Sequence, residues 1–196
     1  MQFDVIYADP AWVYTANSGH QTRDAANHYM VTPLKEMKDF KVNELGKKDS
    51  ILLMWCTFPL LKEGLELMES WGYQYITNAF TWVKRNKKFD PLKDHHDKFF
   101  MGMGYYTRGN PEICLLGKKG KGVKILNKSV EQLIVSKLDK HSKKPDEAYN
   151  RIEKLVGDEV SKIELFAREK RDGWVSLGNE IDKKLLQDSI PELIDI

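Results

Sequence analysis

The chain has 196 residues, enough for one domain with a sizeable core and short for two. Its 31 basic and 29 acidic residues leave a net charge of +2, so bulk charge argues neither for nor against a polyanionic partner. No apolar run approaches membrane-spanning length and the amino terminus enters a strand at once, so neither a secretory signal nor a membrane anchor is visible, no membrane partner is expected, and a cytoplasmic address is expected.

The first element is a short apolar strand in which Phe3, Val5 and Tyr7 alternate with Asp4 and Ile6, and Pro10 ends sheet pairing. It delivers the Asp9 carboxylate, the Pro10 carbonyl and the Trp12 indole to a strand's carboxyl end, where open α/β sheets place ligands. Two acceptors on the hydrogens of a planar aromatic amine would favour the tetrahedral nitrogen that attacks an electrophile, and an indole can stack on a base taken out of its helix. The same residues equally suit a plain strand exit, with Asp9 capping a turn and Trp12 in the core.

Val13 to His28 is polar and reads as an active-site loop, followed by Thr32 and Pro33 as helix N-cap and first position. Ile51 to Cys56 is a buried strand, Pro59 to Trp71 a helix with Leu60, Leu61, Leu65, Leu67 and Met68 inward and Gly72 at its end, and Tyr75 to Val83 a further strand. Strand, helix, strand implies a parallel sheet. Arg85 to Gly104 lacks a clean period and reads as a long, mobile, functional loop. Glu112 to Gly117 and Leu133 to Ser136 are strands, Pro145 to Val156 is a helix with Ala148, Ile152, Leu155 and Val156 on one face and Gly157 as its stop, and strands at Lys162 to Ala167 and Trp174 to Leu177 close the fold before a short tail. A single domain over 1–196 is expected.

Basic residues gather at Lys84-Arg85-Asn86-Lys87-Lys88, at Lys118-Lys119-Gly120-Lys121 and from Lys137 to Lys144, each beside an expected strand end, which suits phosphate contacts or a solvated surface. Lys84, Arg85, Lys87, Lys88, His95, His96 and Arg108 are the candidate nucleic-acid contacts. Cys56 and Cys114 lie in apolar runs without a second cysteine at metal spacing, and His95-His96 reads as surface loop, so no metal site is expected. The only approach to a dinucleotide fingerprint, Gly102-Met103-Gly104, lacks the strand-to-helix context, which disfavours a nicotinamide or flavin. Trp174 to Glu180 ends a strand in Gly178, Asn179 and Glu180, either a plain turn or a carboxylate placed for ribose hydroxyls.

Taken in order, Ala8-Asp9-Pro10-Ala11-Trp12, His28-Tyr29 with Thr32, Asn110-Pro111-Glu112-Ile113-Cys114-Leu115-Leu116-Gly117, Lys143-Lys144-Pro145-Asp146-Glu147, Lys162-Ile163-Glu164-Leu165-Phe166-Ala167-Arg168 and Gly173 to Glu180 resemble the seventy-kilodalton-subunit (MT-A) family of adenine 6-amino methyltransferases, in its bacterial and phage DNA branch. The resemblance implies an α/β Rossmann-like methyltransferase sheet with helices on both faces in permuted order, catalytic strand before cofactor strand, and S-adenosyl-L-methionine as donor. By position it implies that Asp9 and Pro10 hold the amine, that Trp12 packs on the base, and that Ala8, Asp9, Tyr29, Lys144, Leu165, Phe166, Arg168, Asn179 and Glu180 form the donor site. Three departures stand out: Ala11 replaces the usual second proline, Ala167 stands where glycine is typical, and the chain starts directly at the catalytic strand, so donor affinity is expected to lean on Glu180.

The implied reaction is methylation of the adenine 6-amino group in DNA, preferred because no paired Cys/His fingers or other RNA-binding modules are appended. The alternatives are the same reaction on RNA and a catalytically silent nucleic-acid-binding partner of an active homologue; a homodimer or heterodimer is open.

Overall fold

The computed structural model describes residues 1–12, 32–88, 90, 92, 98–138 and 143–195. Its elements are β1 (Phe3–Ala8), α1 (Leu34–Lys38), α2 (Val42–Leu45), β2 (Gly46–Cys56), a 3-10 turn at Phe58–Leu60, α3 (Leu61–Ser70), β3 (Gln74–Arg85), β4 (Glu112–Lys119), β5 (Leu133–Lys137), α4 (Asp146–Val156), β6 (Lys162–Leu165), β7 (Val175–Leu177), α5 (Asn179–Asp182) and α6 (Leu186–Ile194). The strands form one seven-stranded sheet in the order β5-β3-β4-β2-β1-β6-β7.

The sheet is mixed, which corrects the expectation of a parallel one. β1 pairs parallel with β2 and β6, β6 with β7 and β3 with β5, whereas β4 runs antiparallel to both β2 and β3. The strand-helix-strand pattern orients β2 and β3 alike but does not make them neighbours, because β4 inserts between them. Its reversal brings the first residue of β4 to the edge where the other strands end.

Alternation along the strands divides the core between two faces. Ile6 and Ala8 of β1, Leu52, Met54 and Cys56 of β2 and Ile113 and Leu115 of β4 pack with Leu67 and Met68 of α3 and Leu186 and Ile190 of α6. Val5, Tyr7, Leu53, Trp55 and Cys114 face the other way, onto Ala148, Tyr149, Ile152 and Val156 of α4. The fold is therefore an α/β sheet with helices on both faces. Helix α3 comes so close to β2 at Gly64 that a β-carbon there would lie 2.8 Å from Cys56 Sγ.

Boundaries shift for local reasons. Pro33, not Thr32, occupies the cap position of α1, and its carbonyl accepts from Met37 N at 3.0 Å. Strand β6 stops at Leu165 rather than Ala167 because Phe166 turns into left-handed backbone, φ 63°. Strand β3 runs on past the expected Val83 through Lys84 and Arg85, which takes Arg85 out of the expected loop. The residues expected as a tail form α5 and α6.

Candidate active site

Strand β1 lies between β2 and β6, so the chain leaves it in opposite directions on its two sides. Open α/β sheets form their ligand crevice at such a switch point. Asp9 follows directly on β1, and its N–H reaches Leu165 O of β6 at 3.4 Å. On the other side the register sets Trp82 of β3 against Glu112 of β4, which places Glu112 beside the end of β3. Lys144 comes from the segment just before α4.

These residues form an alternating row of charges. Lys84 Nζ contacts Glu112 Oε1, Lys144 Nζ lies 3.3 Å from Glu112 Oε2, and the same ammonium lies 2.7 Å from Asp9 Oδ2. The four side chains are only 12%, 18%, 8% and 17% exposed in the order Lys84, Glu112, Lys144, Asp9. Charges this far from water persist only when paired. Two indoles back the cations, Trp82 with Lys84 Nζ at 4.9 Å and Trp55 with Lys144 Nζ at 5.8 Å from the ring centres.

The two carboxylates are driven apart electrostatically. Burial raises the Asp9 pKa, Lys144 opposes that, and the Glu112 charge adds to the rise, so the net shift is upward. Burial also pushes Glu112 up, but Lys144 and Lys84 together outweigh it and the net shift is downward. Lys144 is pulled down by burial and more than restored by Asp9 and Glu112, ending above its ordinary value. The row thus holds one firmly ionised carboxylate, Glu112, and one, Asp9, with a stronger pull on protons.

Pro10 is buried, and its carbonyl accepts from Trp12 N at 2.9 Å. A carbonyl carries two lone pairs, so this turn contact does not exhaust its capacity. Trp12 is 8% exposed, packs in the core on the α3 side and donates Nε1–H to Trp55 O at 3.2 Å. Below the row, on the α4 face, Trp55 Nε1 donates to Tyr7 Oη at 2.5 Å and Tyr149 Oη donates to Glu164 Oε1 at 2.7 Å. Burial is the main cause that lifts the Glu164 carboxyl to about 7.

On the β6 and β7 side, Ala8 and Leu165 lie wholly within the core. Phe166 leans towards Phe40, ring centres 6.4 Å apart. Gly178 presses on Ala167 so tightly that a β-carbon would sit 2.0 Å from Ala167 O. Arg168 Nε lies 3.8 Å from Glu180 Oε1, and Asn179 is half-buried beside them. The candidate residues at the ends of β1, β6 and β7 therefore share one sheet edge.

The expected basic cluster divides. Lys87, Lys88 and Arg108 are exposed, whereas Lys84 is held inside the charge row and Arg85 is half-buried at the end of β3. This corrects the expectation that Lys84 belongs to a surface patch: two further strand residues carry it to the buried side of the edge. Tyr29, His95, His96 and the loop from Val13 to His28 lie outside the described residues. Glu112 is absent from the expected site residues although it stands in a quoted motif; its role depends on the direction of β4. Both cysteines are free and buried, and burial pushes the Cys56 thiol up to about 12 and Cys114 well above its ordinary value, which keeps them as thiols. Among the described residues, no helix is long and apolar enough to cross a membrane.

Residues 3–180 match the family described as MT-A70. The chain is similar to the type II methyltransferase M.MunI of Mycoplasma sp, 34% identical, over 94% of this chain and 80% of that protein. It is also similar to the N(6)-adenosine-methyltransferase MT-A70-like protein of Drosophila melanogaster, 30% identical over 98% of this chain, and to the N(6)-adenosine-methyltransferase catalytic subunit METTL3 of Homo sapiens, 28% identical over 92%. It spans only 29% and 28% of the length of those two relatives.

Proposed function

The chain belongs to the MT-A70 family, and from that premise we propose that it transfers a methyl group from S-adenosyl-L-methionine to the 6-amino group of adenine in DNA. The observation that carries this reading is the Asp9 carboxylate at the switch point of the sheet, fixed through Lys144 to a second carboxylate, Glu112.

The residues around Arg168 fit the donor. Its methionine portion carries a carboxylate and an ammonium, and its ribose two hydroxyls, which call for a cation, an anion and an amide close together. Arg168, Glu180 and Asn179 supply that set at adjacent strand ends. The 3.8 Å separation of Arg168 and Glu180 is too long for a hydrogen bond, and Glu180 is 47% exposed, so its oxygens retain acceptor capacity. When bound, the donor supplies an electrophilic methyl group on a positively charged sulfur.

The chain's own residues prepare the nucleophile. The adenine amine is weak because its lone pair is delocalised into the ring, and hydrogen bonds from its two hydrogens to the Asp9 carboxylate and the Pro10 carbonyl favour the tetrahedral nitrogen. Those contacts strengthen as the nitrogen gains positive charge, so they act on the transition state. Lys144 takes Asp9 Oδ2, leaving Oδ1 for the amine. As the new nitrogen–carbon bond forms, the nitrogen sheds one proton, and the raised pKa of Asp9 suits it to accept that proton before release to water. Trp12, anchored to Trp55, walls the base side of the site. The site stays away from any membrane in this reading, in the cytoplasm of a bacterial or phage-infected cell.

DNA is favoured over RNA because the chain is more similar to the type II methyltransferase, 34% identical, than to the two adenosine enzymes, 30% and 28% identical. Methyl-transfer assays on matched duplex DNA, single-stranded DNA and RNA decide the substrate. The highest turnover is expected on DNA; higher turnover on RNA overturns that assignment, and transfer to none of them overturns the enzymatic reading.

A further inference from the structure

Between β3 and β4, the described residues 98–109 form a narrow finger. Asn86 N donates to Lys98 O at 2.9 Å, Phe100 N to Lys84 O at 2.8 Å and Gly102 N to Gly109 O at 2.8 Å, which extends the strand ladder outward. Its glycines permit close backbone approach: a β-carbon at Gly104 would lie 2.4 Å from Thr107 O, and one at Gly109 would lie 2.7 Å from Met103 O. This accounts physically for the Gly102-Met103-Gly104 motif. At the root, Asn110 Oδ1 accepts from Lys84 N at 2.9 Å and its Nδ2 donates to Lys84 O at 2.9 Å. Asn110 thus ties the finger to a residue of the charge row.

The finger displays large unsatisfied surfaces. Tyr105 is 56% exposed and Tyr106 fully so, with exposed Phe99, Met101 and Met103 behind them. Tyr106 also sits in left-handed backbone, φ 61°, unusual for a bulky residue and a recurrent mark of functional loops. Residues 98–109 include Lys98 and Arg108 but no acidic residue, and exposed Lys87 and Lys88 follow the end of β3. Within 98–109, exposed aromatic rings beside cations and without a carboxylate complement unpaired bases on a phosphate backbone.

We propose that this finger is a stacking clamp for unpaired DNA: Tyr105 and Tyr106 take the bases next to the extruded adenine, and Arg108 takes a phosphate. The proposal rests on the reading of the chain as a DNA methyltransferase and adds the means by which the strand is held beside Asp9.

The test uses the full chain and a fluorescent single-stranded DNA oligonucleotide, with RNA of the same sequence in parallel. Replacing both Tyr105→Ala and Tyr106→Ala is expected to weaken DNA binding by about 10- to 100-fold with an unchanged salt slope, because stacking releases no counterions. Arg108→Ala is expected to weaken binding and lower that slope by about 0.7. Tyr106→Gly, which suits the left-handed backbone and preserves the turn, should share the loss, and Tyr106→Phe should restore it. Thermal melting and calorimetric donor binding should match the parent chain throughout. Unchanged DNA affinity in the double variant overturns the proposal, as does a loss confined to RNA, or a shift from dimer to monomer in sedimentation with DNA affinity intact. Tyrosine-dependent DNA binding without methyl transfer would instead sink the enzymatic reading and leave the clamp.

Discussion

At the residue scale, Asp9 is an unfavourably placed charge that its neighbours make tolerable. An ionised carboxylate with 17% of its side chain exposed would cost several kcal/mol if isolated. Burial raises its proton affinity, Lys144 opposes that rise and the Glu112 charge adds to it. Replacing Asp9 by Ala removes an acceptor assigned to the transition state, so single-turnover methyl transfer should fall by about two to three orders of magnitude. Calorimetry should show donor binding retained, because Arg168, Asn179 and Glu180 stand on other strand ends. Near-parental transfer by this variant would remove Asp9 from the mechanism. The Asp9-Pro10-Ala11-Trp12 pattern marks the site in sequence, but its hydrogen-bond partners do not appear there. Trp12 illustrates the gap: an indole read as a stacking surface is also a core residue donating to Trp55 O.

At the element scale, β6 and α4 meet through Glu164 and Tyr149. Glu164 is paired across the sheet with Tyr7 and Ser176, and its carboxyl is lifted to about 7, chiefly by burial. The folded protein therefore binds this proton more tightly than the unfolded chain does. The contribution to stability is complete below the unfolded carboxylate value and is lost as pH rises through about 7. Glu164→Gln keeps an acceptor for the Tyr149 hydroxyl and removes the titration. Stability measured by urea unfolding should then decline less between pH 5 and pH 8, by on the order of 3 kcal/mol relative to the parent. An identical decline in both proteins would show that Glu164 ionises freely. The elements themselves were largely legible: periodicity located α3, α4 and the strands to within two residues, except that β2 begins at Gly46, five residues before the expected Ile51. Strand direction was not, because alternation of apolar residues is the same read either way, and so the reversal of β4 and the arrival of Glu112 were invisible.

At the scale of the whole molecule, the near balance of charge conceals an uneven distribution. Lys84 and Lys144 are consumed in the buried row, while Lys87 and Lys88 remain exposed on the same sheet edge. Of these four lysines, only the exposed pair is placed to neutralise phosphates. Replacing Lys87 and Lys88 by Gln should weaken single-stranded DNA binding and reduce the slope of log affinity against log salt by about 1.4, with turnover at saturating DNA preserved. An unchanged slope in fluorescence anisotropy titrations would remove this segment from the interface. One sequence cluster of basic residues thus divides into an internal and an external part, a division made by where β3 ends.

The sequence by itself determined the alternating apolar strands, the amphipathic helices, the ordered motifs of the MT-A70 family and the residue types offered at the strand ends, since these follow from local periodicity and side-chain chemistry. Only the tertiary structure decided that β4 runs against its neighbours, that Glu112 and Lys144 therefore reach Asp9, and that glycines at 102, 104 and 109 close an aromatic finger rooted through Asn110 on Lys84. Those outcomes depend on pairing between segments far apart in the chain, and the free energy that selects one pairing resides in contacts that no local stretch contains.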